Sequence, residues 1–285
     1  MESAKLKILI QKIGNLPLFS AKINEIMAVL DDDNSSIENI AKLISTDQAF
    51  SVKVLKLANS AYFGYSRQIS TIPQAIVILG TSSIKNIAMG ISVFSTMNDK
   101  DSVLKDELEQ MAKYSLNVAV YARLIATHYG YPQPDEVFAA GLLHDLGRII
   151  VMKYLPEEYA QILVLVLNEE QAVYDAETQV IDISHMDLGA YLASYWNFPE
   201  RMIHVIKYHH DPFDVPEEIE TDNTMYPLIK FVSLSQFLCS TSRLTEKEMV
   251  IFEKLKTDLN ISDETLKDIS DNASVLFEDL NSVFL

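Results

Sequence analysis

The spacing of apolar residues is the feature that most constrains the fold of this chain. Apolar residues recur at intervals of three and four far more often than they alternate, which is the pattern of amphipathic helices and not of strands. Only 8 Gly and 9 Pro interrupt the 285 residues, so the connections between helices should be short turns. The sequence therefore predicts an all-α protein.

Polar segments predict how the helices are grouped. The run NDKDSV at 98–103 separates a first helical bundle, 1–98, from a second bundle, 99–212. The acidic stretch at 211–223 is predicted to be a loop that opens a C-terminal helical extension over 213–285. We therefore expect two packed bundles followed by a C-terminal helical appendage.

Capping signals place several helix ends. Ser35 and Ser36 are expected to cap one helix and Asp47 the next, because their side-chain oxygens can accept from free backbone N–H groups. Gly80 is expected to end a helix, since glycine readily adopts the left-handed backbone of a C-terminal stop. The expected helices cover 20–30, 37–45, 47–60, 73–80, 82–97, 104–129, 135–154, 156–168, 185–196, 199–209, 225–241 and 246–258.

Charge and cysteine content limit the partners and the metal chemistry. The net charge is −17, and residues 101–285 carry thirteen Lys and Arg against thirty-two Asp and Glu. This surface opposes binding to nucleic acid and to anionic lipid. We expect the charge to keep the protein soluble, and a partner that docked on this acidic surface would be basic. We find no signal peptide and no long uncharged apolar run, which predicts a cytoplasmic protein. Cys239 is the only cysteine, so a metal would need His and carboxylate ligands.

The segment GLLHDLGR at 141–148 places His144 beside Asp145 between apolar helical stretches. On a helix the two side chains point about 100° apart, so both can approach one ion only beside a pocket that other helices complete. Further histidines stand at His185, His209 and His210. We expect surface or packing positions for His128 and His204, because neither has acidic neighbours at ligand spacing.

Several motifs in order resemble a known family. GLLHDLGR follows a helix with the sequence YSLNVAVYARLIA and precedes HMDLGAYLASYWNFPERMIHVIKYHHDP, a pattern similar to the HD-type phosphohydrolase superfamily. The earlier segments NLPLFSAKINEIMAVL, IAKLISTDQAFSVKVLKLANSAYFG and ISTIPQAIVILG resemble the HDOD family, the HD-related output domain, within it. The resemblance covers about 14–212 and implies an HD-like second bundle.

The resemblance also implies that part of the metal-ligand set is missing. Active HD phosphohydrolases use a first-helix His, the His-Asp pair and a later Asp, and the first position falls here on Tyr114. The later Asp falls on Gln236 or Ser235. A phenol of pKa near 10 and a neutral amide or hydroxyl are poor ligands for a divalent ion. The residual candidates for metal ligands are His144, Asp145, His185, His209 and His210.

Two interpretations of the His-Asp pair remain. We favour a buried, hydrogen-bonded polar pair without a metal cofactor, with the Tyr114 hydroxyl as one candidate partner, because burying either group unpaired would be costly. The alternative is a site that still holds a divalent metal ion. The Gly-Tyr-Pro extension typical of cyclic-dinucleotide phosphodiesterases is absent, since Asp211, Pro212 and Phe213 follow the His pair.

The functional hypothesis that follows is a non-catalytic bacterial signal-transduction module, an output or scaffold domain that acts on a separate regulatory protein partner. The alternatives are a metal-dependent phosphohydrolase of nucleotides or cyclic dinucleotides, and a ligand-binding sensor that keeps an inherited pocket. The aromatic segment at 59–65 (NSAYFGY) is expected to plug the seam between the bundles, or otherwise to line a docking groove.

Overall fold

The computed structural model describes residues 21–30, 32, 35–64, 68–97, 104–169, 171–240 and 244–284. Over these residues it contains sixteen helices and no strand, which confirms the all-α prediction. In chain order the helices are α1 (Ala21–Leu30), α2 (Ile37–Ser45), α3 (Gln48–Ala58), α4 (Ile72–Leu79), α5 (Thr81–Met97), α6 (Lys105–His128), α7 (Pro134–Leu143), α8 (Leu146–Tyr154), α9 (Pro156–Glu169), α10 (Val173–Ile181), α11 (His185–Tyr195), α12 (Glu200–Tyr208), α13 (Glu217–Glu220), α14 (Met225–Cys239), α15 (Glu246–Asp258) and α16 (Asp263–Phe284).

Predicted capping residues set three of the helix ends. The Ser36 hydroxyl accepts a hydrogen bond from the Asn39 backbone N–H at 3.2 Å, and the Asp47 carboxylate accepts one from the Phe50 N–H at 2.9 Å. Gly80 ends α4 with φ of 79°, in the left-handed region that glycine adopts without strain. These capping predictions were correct because each residue acts at a helix end, where backbone groups have no partner within the helix.

Some elements differ from the expectation. Helix α10 was not predicted, and the short α13 lies inside the segment predicted to be a loop. Ser35 does not cap α2, because its hydroxyl donates to the Asp32 carboxylate instead. A nine-residue helix such as α10 is too short to be stable alone, so packing and not its own sequence decides whether it forms.

Helix α6 separates two apolar cores. Leu116 and Ala119 face the larger core, which runs from α1 to α12 and includes the end of α16. Val118 and Ala122 face the second core, which α14, α15 and the start of α16 complete. The predicted domain limits at 98 and 212 stay a prediction, but the larger core continues across the first of these positions.

Asp135, near the start of α7, joins residues from α5, α6 and the segment after α3. Its carboxylate accepts hydrogen bonds from the Arg123 Nε at 3.0 Å, the Ser83 hydroxyl at 3.2 Å and the Tyr62 hydroxyl at 3.3 Å. Tyr62 is buried, with the Arg123 guanidinium 4.0 Å from its ring centroid. The burial of Tyr62 agrees with the plug interpretation, which stays a prediction for the segment, and Tyr65 lies outside the described residues.

The last helix, α16, contacts both parts of the fold. The Tyr121 hydroxyl on α6 donates to the Ser270 hydroxyl at 2.8 Å, and the Ala61 backbone N–H donates to the Asp279 carboxylate at 2.7 Å. Ala273 and Leu280 are fully buried in the larger core. The predicted C-terminal appendage is therefore packed along the body of the protein.

Within the part of the chain that the structure describes, no single helix is both long and apolar enough to cross a bilayer. The bent pair Ile72–Leu79 and Thr81–Ile91, at 107° to each other, meets the length and composition criteria only when its two helices are taken together.

Candidate functional site

Helix ends bring the five candidate side chains together. His144 follows the last residue of α7, and Asp145 lies in the break before α8. His185 is the first residue of α11, and His209 and His210 follow the end of α12. All five side chains are buried, with exposed fractions from 0% for His144 to 7% for His210. The structure therefore places every residual candidate of the sequence in one cluster.

Two glycines allow helices α8 and α11 to touch at this cluster. A methyl group built on Gly147 would lie 2.0 Å from the His185 carbonyl oxygen and 2.9 Å from the Gly189 backbone nitrogen. Such distances are far below van der Waals contact, so the backbones can approach this closely only without a side chain. This approach sets His185 opposite Asp145.

Backbone carbonyls fix the protonation of two histidines. The Nδ1 of His144 lies 2.6 Å from the Gly141 carbonyl oxygen, and the Nδ1 of His209 lies 2.9 Å from that of Ile206. A carbonyl only accepts, so each Nδ1 carries a proton and donates it. The Nε2 atom of each neutral ring then presents a lone pair.

The Glu177 carboxylate fixes the orientation of the third histidine ring, that of His185. The Nδ1 of His185 donates to the Glu177 Oε2 at 2.6 Å, and the backbone N–H of His185 donates to the same oxygen at 2.7 Å. Glu177 lies on α10 and is 1% exposed. Metal-binding histidines commonly make this type of bond from the nitrogen that does not bind the metal.

Three atoms with free lone pairs face one another at the centre of the cluster. The Asp145 Oδ1 lies 3.3 Å from the His185 Nε2 and 3.5 Å from the His209 Nε2, and the two nitrogen atoms are 3.3 Å apart. Because the neutral His209 ring carries its proton on Nδ1, its Nε2 has no hydrogen to donate to the His185 Nε2. Asp145 Oδ1 also has no hydrogen-bond partner in the described part of the chain. Atoms with lone pairs that face one another in this way are suited to binding a cation between them.

The triangle of atoms fits a first-row divalent ion. For tetrahedral coordination with ligands about 2.0–2.1 Å from the metal, neighbouring ligand atoms lie about 3.3–3.4 Å apart. The Asp145, His185 and His209 distances match this spacing, and imidazole with one carboxylate suits Zn, Fe, Ni or Cu. His210 belongs to the same group, whose ligand atoms all lie within 4.8 Å of one another.

Burial and neighbouring charges shift the pKa values of the titratable groups in this cluster. Burial lowers the pKa of His144 to about 4 and also lowers the pKa of His209, so both rings are neutral at pH 7. Burial alone would raise the pKa of Asp145, but His144 and Arg148 outweigh it and hold the pKa of that carboxyl well below its usual value. At neutral pH the Asp145 carboxylate is therefore ionised, and neither His144 nor His209 adds a positive charge beside it.

Arg148 holds the outer oxygen of Asp145. Its Nη1 donates to the Asp145 Oδ2 at 2.9 Å, and the His144 Nε2 lies 3.5 Å from the same oxygen. His144 Nε2 is buried and has no hydrogen-bond partner in the described part of the chain. His144 therefore lies beside the outer oxygen, whereas Oδ1 faces the other two histidines.

Tyr114 and Gln236 both lie beside the cluster. The Tyr114 hydroxyl donates to the Gln236 backbone carbonyl at 3.3 Å, so the expectation that it would pair with His144 or Asp145 is corrected. Its ring packs 5.7 Å from that of His144, and burial raises its pKa well above the ordinary value. A phenol held in this protonated state cannot act as an anionic ligand.

Gln236 supplies an amide where the resemblance predicts a missing Asp. Its Nε2 donates to the His209 carbonyl at 2.8 Å and lies 3.4 Å from the His210 Nδ1. A bond to His210 Nδ1 leaves the proton of the neutral His210 ring on Nε2. The alternative position, Ser235, is turned to the Phe231 carbonyl on its own helix. That Tyr114 and Gln236 occupy the positions of lost ligands stays a prediction.

The two histidines without an expected role lie elsewhere. His128 is exposed at the end of α6, with its ring against that of Tyr129. His204 is half-buried on α12, beside Tyr208. Neither belongs to the described cluster of possible metal ligands.

A family model of the HDOD domain matches residues 16–212. The chain belongs to the HDOD family. The matched range agrees with the resemblance drawn from the motifs and includes every residue of the cluster, whereas Gln236, beside the cluster, lies beyond it on α14. The C-terminal extension therefore contributes a side chain to the centre of this HDOD protein.

Known proteins resemble this chain at low sequence identity. An uncharacterized protein of Treponema pallidum (strain Nichols) is 27% identical over 225 residues, which is 79% of this chain and 42% of that protein. The chain thus spans less than half the length of this relative. A solved HDOD domain protein of unknown function from Geobacter sulfurreducens has a TM-score of 0.77 at 24% identity, covering 99% of this chain and 97% of that one.

A second solved structure comes from Shewanella amazonensis SB2B and is provisionally named a phosphohydrolase. Its TM-score is 0.73 at 20% identity, with 100% of this chain and 99% of that chain covered. Likeness at this level of identity shows a shared fold, and a shared fold does not by itself assign an activity.

An open cleft of about 1670 Å³ adjoins the cluster of this HDOD chain. Tyr114, Arg148, His210 and Gln236 form the part of its lining that contacts the cluster, and α6, α9, α15 and α16 contribute the walls. The cleft is larger than the roughly 300–1,000 Å³ of a typical small-molecule site. One residue of the cluster, His210, therefore lines this cleft.

Glu177 is the residue that sequence reasoning missed. It stands in a segment for which no helix was predicted, and its acidic neighbour Asp175 is exposed. The only available signal was its place eight residues before His185, which is not a recognised ligand spacing. Its role depends on α10 and α11 packing against each other, and no local pattern reports that contact.

Proposed function

We propose that this HDOD protein is a non-catalytic signalling module whose buried cluster holds one divalent metal ion as a structural element. Asp145, His185 and His209 would hold the ion. When bound, the ion would supply a Lewis acid to a hydrolytic site, or a cross-link where no substrate reaches it. The observation that carries the proposal is the triangle of buried lone pairs at 3.3–3.5 Å.

The structural role is supported by the elements that the ligands join. Asp145 precedes α8, His185 begins α11, and His209 follows α12, so one ion would tie three helix ends together. Metal binding that occurs only in the folded state adds its free energy to the stability of that state.

The non-catalytic role is supported by the groups that surround the triangle. Asp145 is the only carboxylate in the described cluster of possible ligands, and the adjacent Tyr114 and Gln236 are neutral. A two-metal hydrolytic site requires ligands that bridge or flank both ions, and the neutral pair supplies none. The family resemblance, to an output domain, supports a signalling role through contact with a regulatory protein.

Elemental analysis and a hydrolysis assay test the proposal together. We expect close to one divalent ion per purified chain, its loss in Asp145→Ala, and no hydrolysis of bis(p-nitrophenyl) phosphate by protein loaded with Mn²⁺, Fe²⁺ or Zn²⁺. Metal-free protein should unfold at a lower temperature than loaded protein. Hydrolysis that disappears in Asp145→Ala would overturn the non-catalytic assignment, and the absence of metal from both proteins would overturn the structural site.

Partner binding tests the signalling part separately. Pairwise two-hybrid assays would present the chain to receiver, cyclic-dinucleotide and kinase-like regulatory domains of a bacterial host. We expect at least one saturable interaction that survives with purified components. Failure with every such domain would contradict the signalling assignment and leave the metal result unaffected.

A phosphohydrolase remains the second candidate, because the open cleft gives solvent a path toward the cluster. The provisional name of the Shewanella amazonensis structure points to the same activity. The hydrolysis assay above separates the two candidates, since only the second expects turnover that depends on Asp145.

A further inference from the structure

Apolar side chains line one groove of the open cleft, the α9–α15 groove. Its apolar residues are Leu163, Val166, Leu167, Met249, Val250 and Phe277. Leu167, Met249 and Val250 are 76%, 44% and 69% exposed, and they are three of the ten large apolar side chains that are exposed in the described part of the chain. Exposed apolar side chains that share one surface, rather than standing singly, are typical of a site that binds another protein.

The dimensions of the groove suit a helix. On α9 the lining residues run from Tyr159 to Leu167, which at 1.5 Å per residue is about 12 Å, or about two helical turns. The cleft volume of about 1670 Å³ exceeds the roughly 300–1,000 Å³ of a typical small-molecule site. An amphipathic helix that lays its apolar face into such a groove would contact both walls at once. A helical segment of a partner therefore fits the groove better than a small molecule does.

Acidic side chains dominate the exposed charge of the cleft. Both cations that line it within the described residues are already paired, since Lys113 lies 2.7 Å from Glu109 and Arg148 holds the cluster carboxylate at 2.9 Å. Glu107 and Glu246 also line the cleft and are exposed. The net charge of the whole chain, −17, has the same sign. Lysine or arginine side chains beside the groove would therefore be attracted to it.

We propose that the α9–α15 groove binds a basic amphipathic helix of a partner protein. The apolar face of that helix packs against α9 and α15, and its lysine or arginine side chains lie beside Glu107 and Glu246. The inference rests on the proposed signalling function and names the surface and the kind of segment through which the module makes contact. It requires no ion in the cluster and no chemistry there.

Fluorescence anisotropy with three labelled peptides tests the partner class. Each peptide has about 15 residues, or roughly four helical turns. The basic peptide carries leucines on one helical face and lysines on the other, the acidic peptide has glutamate in place of every lysine, and the scrambled peptide has the composition of the basic one but no apolar face. We expect saturable binding of the basic peptide, and binding of the other two that is weaker by about tenfold or more.

A matched pair of variants on α9 tests the apolar wall. Leu167 lines the cleft, whereas Val164 does not line it and is 55% exposed on the same helix. Leu167→Gln removes apolar surface that the bound helix would cover and should weaken binding of the basic peptide by about tenfold or more. Val164→Gln makes a similar change outside the groove and should stay within about twofold of the wild type.

A second matched pair tests the acidic charge. Glu246 lies in the first turn of α15, and Glu264 lies in the first turn of α16, so both acids stand at helix starts. Glu264 is exposed and does not line the cleft, and it lies about 20 Å along α16 from Phe277. Glu246→Lys replaces an attraction by a repulsion and should weaken binding of the basic peptide about fivefold. Glu264→Lys should stay within about twofold of the wild type, because that distance exceeds the screening length at physiological salt.

Circular dichroism verifies that the four variants fold, which is expected because all four positions are exposed. The proposal is overturned if the basic peptide does not bind, if the acidic or the scrambled peptide binds as tightly as the basic one, or if either control variant weakens binding as much as its counterpart in the groove. Sedimentation of the chain alone tests a second copy as the occupant. A dimer that Leu167→Gln dissociates would assign the groove to self-association and overturn the proposal.

The same variants separate this inference from the signalling function. A regulatory domain that binds in the pairwise assays should lose affinity for Leu167→Gln but not for Val164→Gln. A domain that binds both variants as tightly as the wild type would keep the signalling function and overturn the groove. Failure of every domain in the pairwise assays would contradict the signalling function, whatever the result with the peptides.

Discussion

One carboxylate oxygen, the Glu177 Oε2, accepts hydrogen bonds from both the ring Nδ1 and the backbone N–H of His185, at 2.6 and 2.7 Å. The two bonds fix the ring orientation and its tautomer at once. The Nε2 lone pair of His185 is consequently aimed at the Asp145 Oδ1 and the His209 Nε2. Helix α10 thus positions a ligand without contributing one.

Replacing Glu177 should weaken metal binding more than it disturbs the fold. Glu177→Gln keeps an acceptor for one His185 bond but removes the negative charge that makes the ring a better ligand. We expect metal affinity to fall about 10- to 100-fold, as for other partners of metal-bound histidines. Competition with a chromophoric Zn²⁺ chelator measures it. Asp175→Asn, an exposed acid on the same helix, is the control, and equal affinities of the two variants would contradict the role of Glu177.

Gly147→Ala should be among the most destabilising single changes in this region. Its new methyl group would meet the His185 backbone 2.0 Å away, so α8 and α11 would have to separate. We expect a loss of about 3 kcal/mol or more in the free energy of unfolding, measured with urea. Gly130→Ala is the comparison, because its methyl group meets nothing within 4 Å and only the φ of 64° is unfavourable. A loss of about 1–2 kcal/mol is expected there, and equal losses would show that backbone contact at Gly147 is not the cause.

Asp135→Ala should loosen the contact between the early helices and α7. Removing the carboxylate leaves Arg123, Tyr62 and Ser83 without their shared acceptor. Hydrogen bonds to a charged group support a loss of about 2–3 kcal/mol in the free energy of unfolding. Glu157→Ala, at an exposed position on α9, should change it by less than about 0.5 kcal/mol. A loss for Asp135→Ala no larger than for the control would refute the joining role.

Asp222 should make part of the stability depend on acid pH. Its carboxylate accepts from the Met225 N–H at 2.9 Å and from the Thr224 N–H and hydroxyl at 2.7 Å, which lowers its pKa to about 2. The unfolded value is about 3.9. The folded pKa is the lower one, so this contribution is present above about pH 4 and is lost as the pH falls through about 2.

Thermal unfolding of Asp222→Ala tests that sign. The variant should melt below the wild type at pH 7, and the difference should shrink between about pH 4 and pH 2. Glu218→Ala, an exposed acid on α13, is the control and should follow the wild type over this range. A difference between Asp222→Ala and wild type that grows toward acid pH would contradict the account.

The residue patterns correctly predicted features that depend only on neighbouring backbone groups. Ser36, Asp47 and Gly80 mark helix ends because they act on backbone groups within a few residues, and the structure confirms them. The meeting of His144, Asp145, His185, His209 and His210 required the family resemblance, since nothing in their spacing brings α7, α11 and α12 together.

The sequence did not predict the atoms that the polar side chains of Tyr114 and Glu177 contact. Tyr114 was expected to offer its hydroxyl to the His-Asp pair, but only its ring lies against His144 and the hydroxyl reaches the Gln236 carbonyl. The role of Glu177 was not predicted, because its partner His185 is eight residues away, across a turn between two helices. Neither contact follows from periodicity, which reports the buried face of a helix but not the atom that a polar group will meet.

The hydrogen bond from Ala61 to Asp279 joins residues 218 positions apart, and it bears on synthesis as well as on the finished fold. At about 5–20 residues per second, a ribosome needs roughly 10–40 s to add the intervening chain. During that interval the surface that Ala273 and Leu280 later cover is without its partner helix. The nascent protein thus completes its larger core only after α16 has been synthesised.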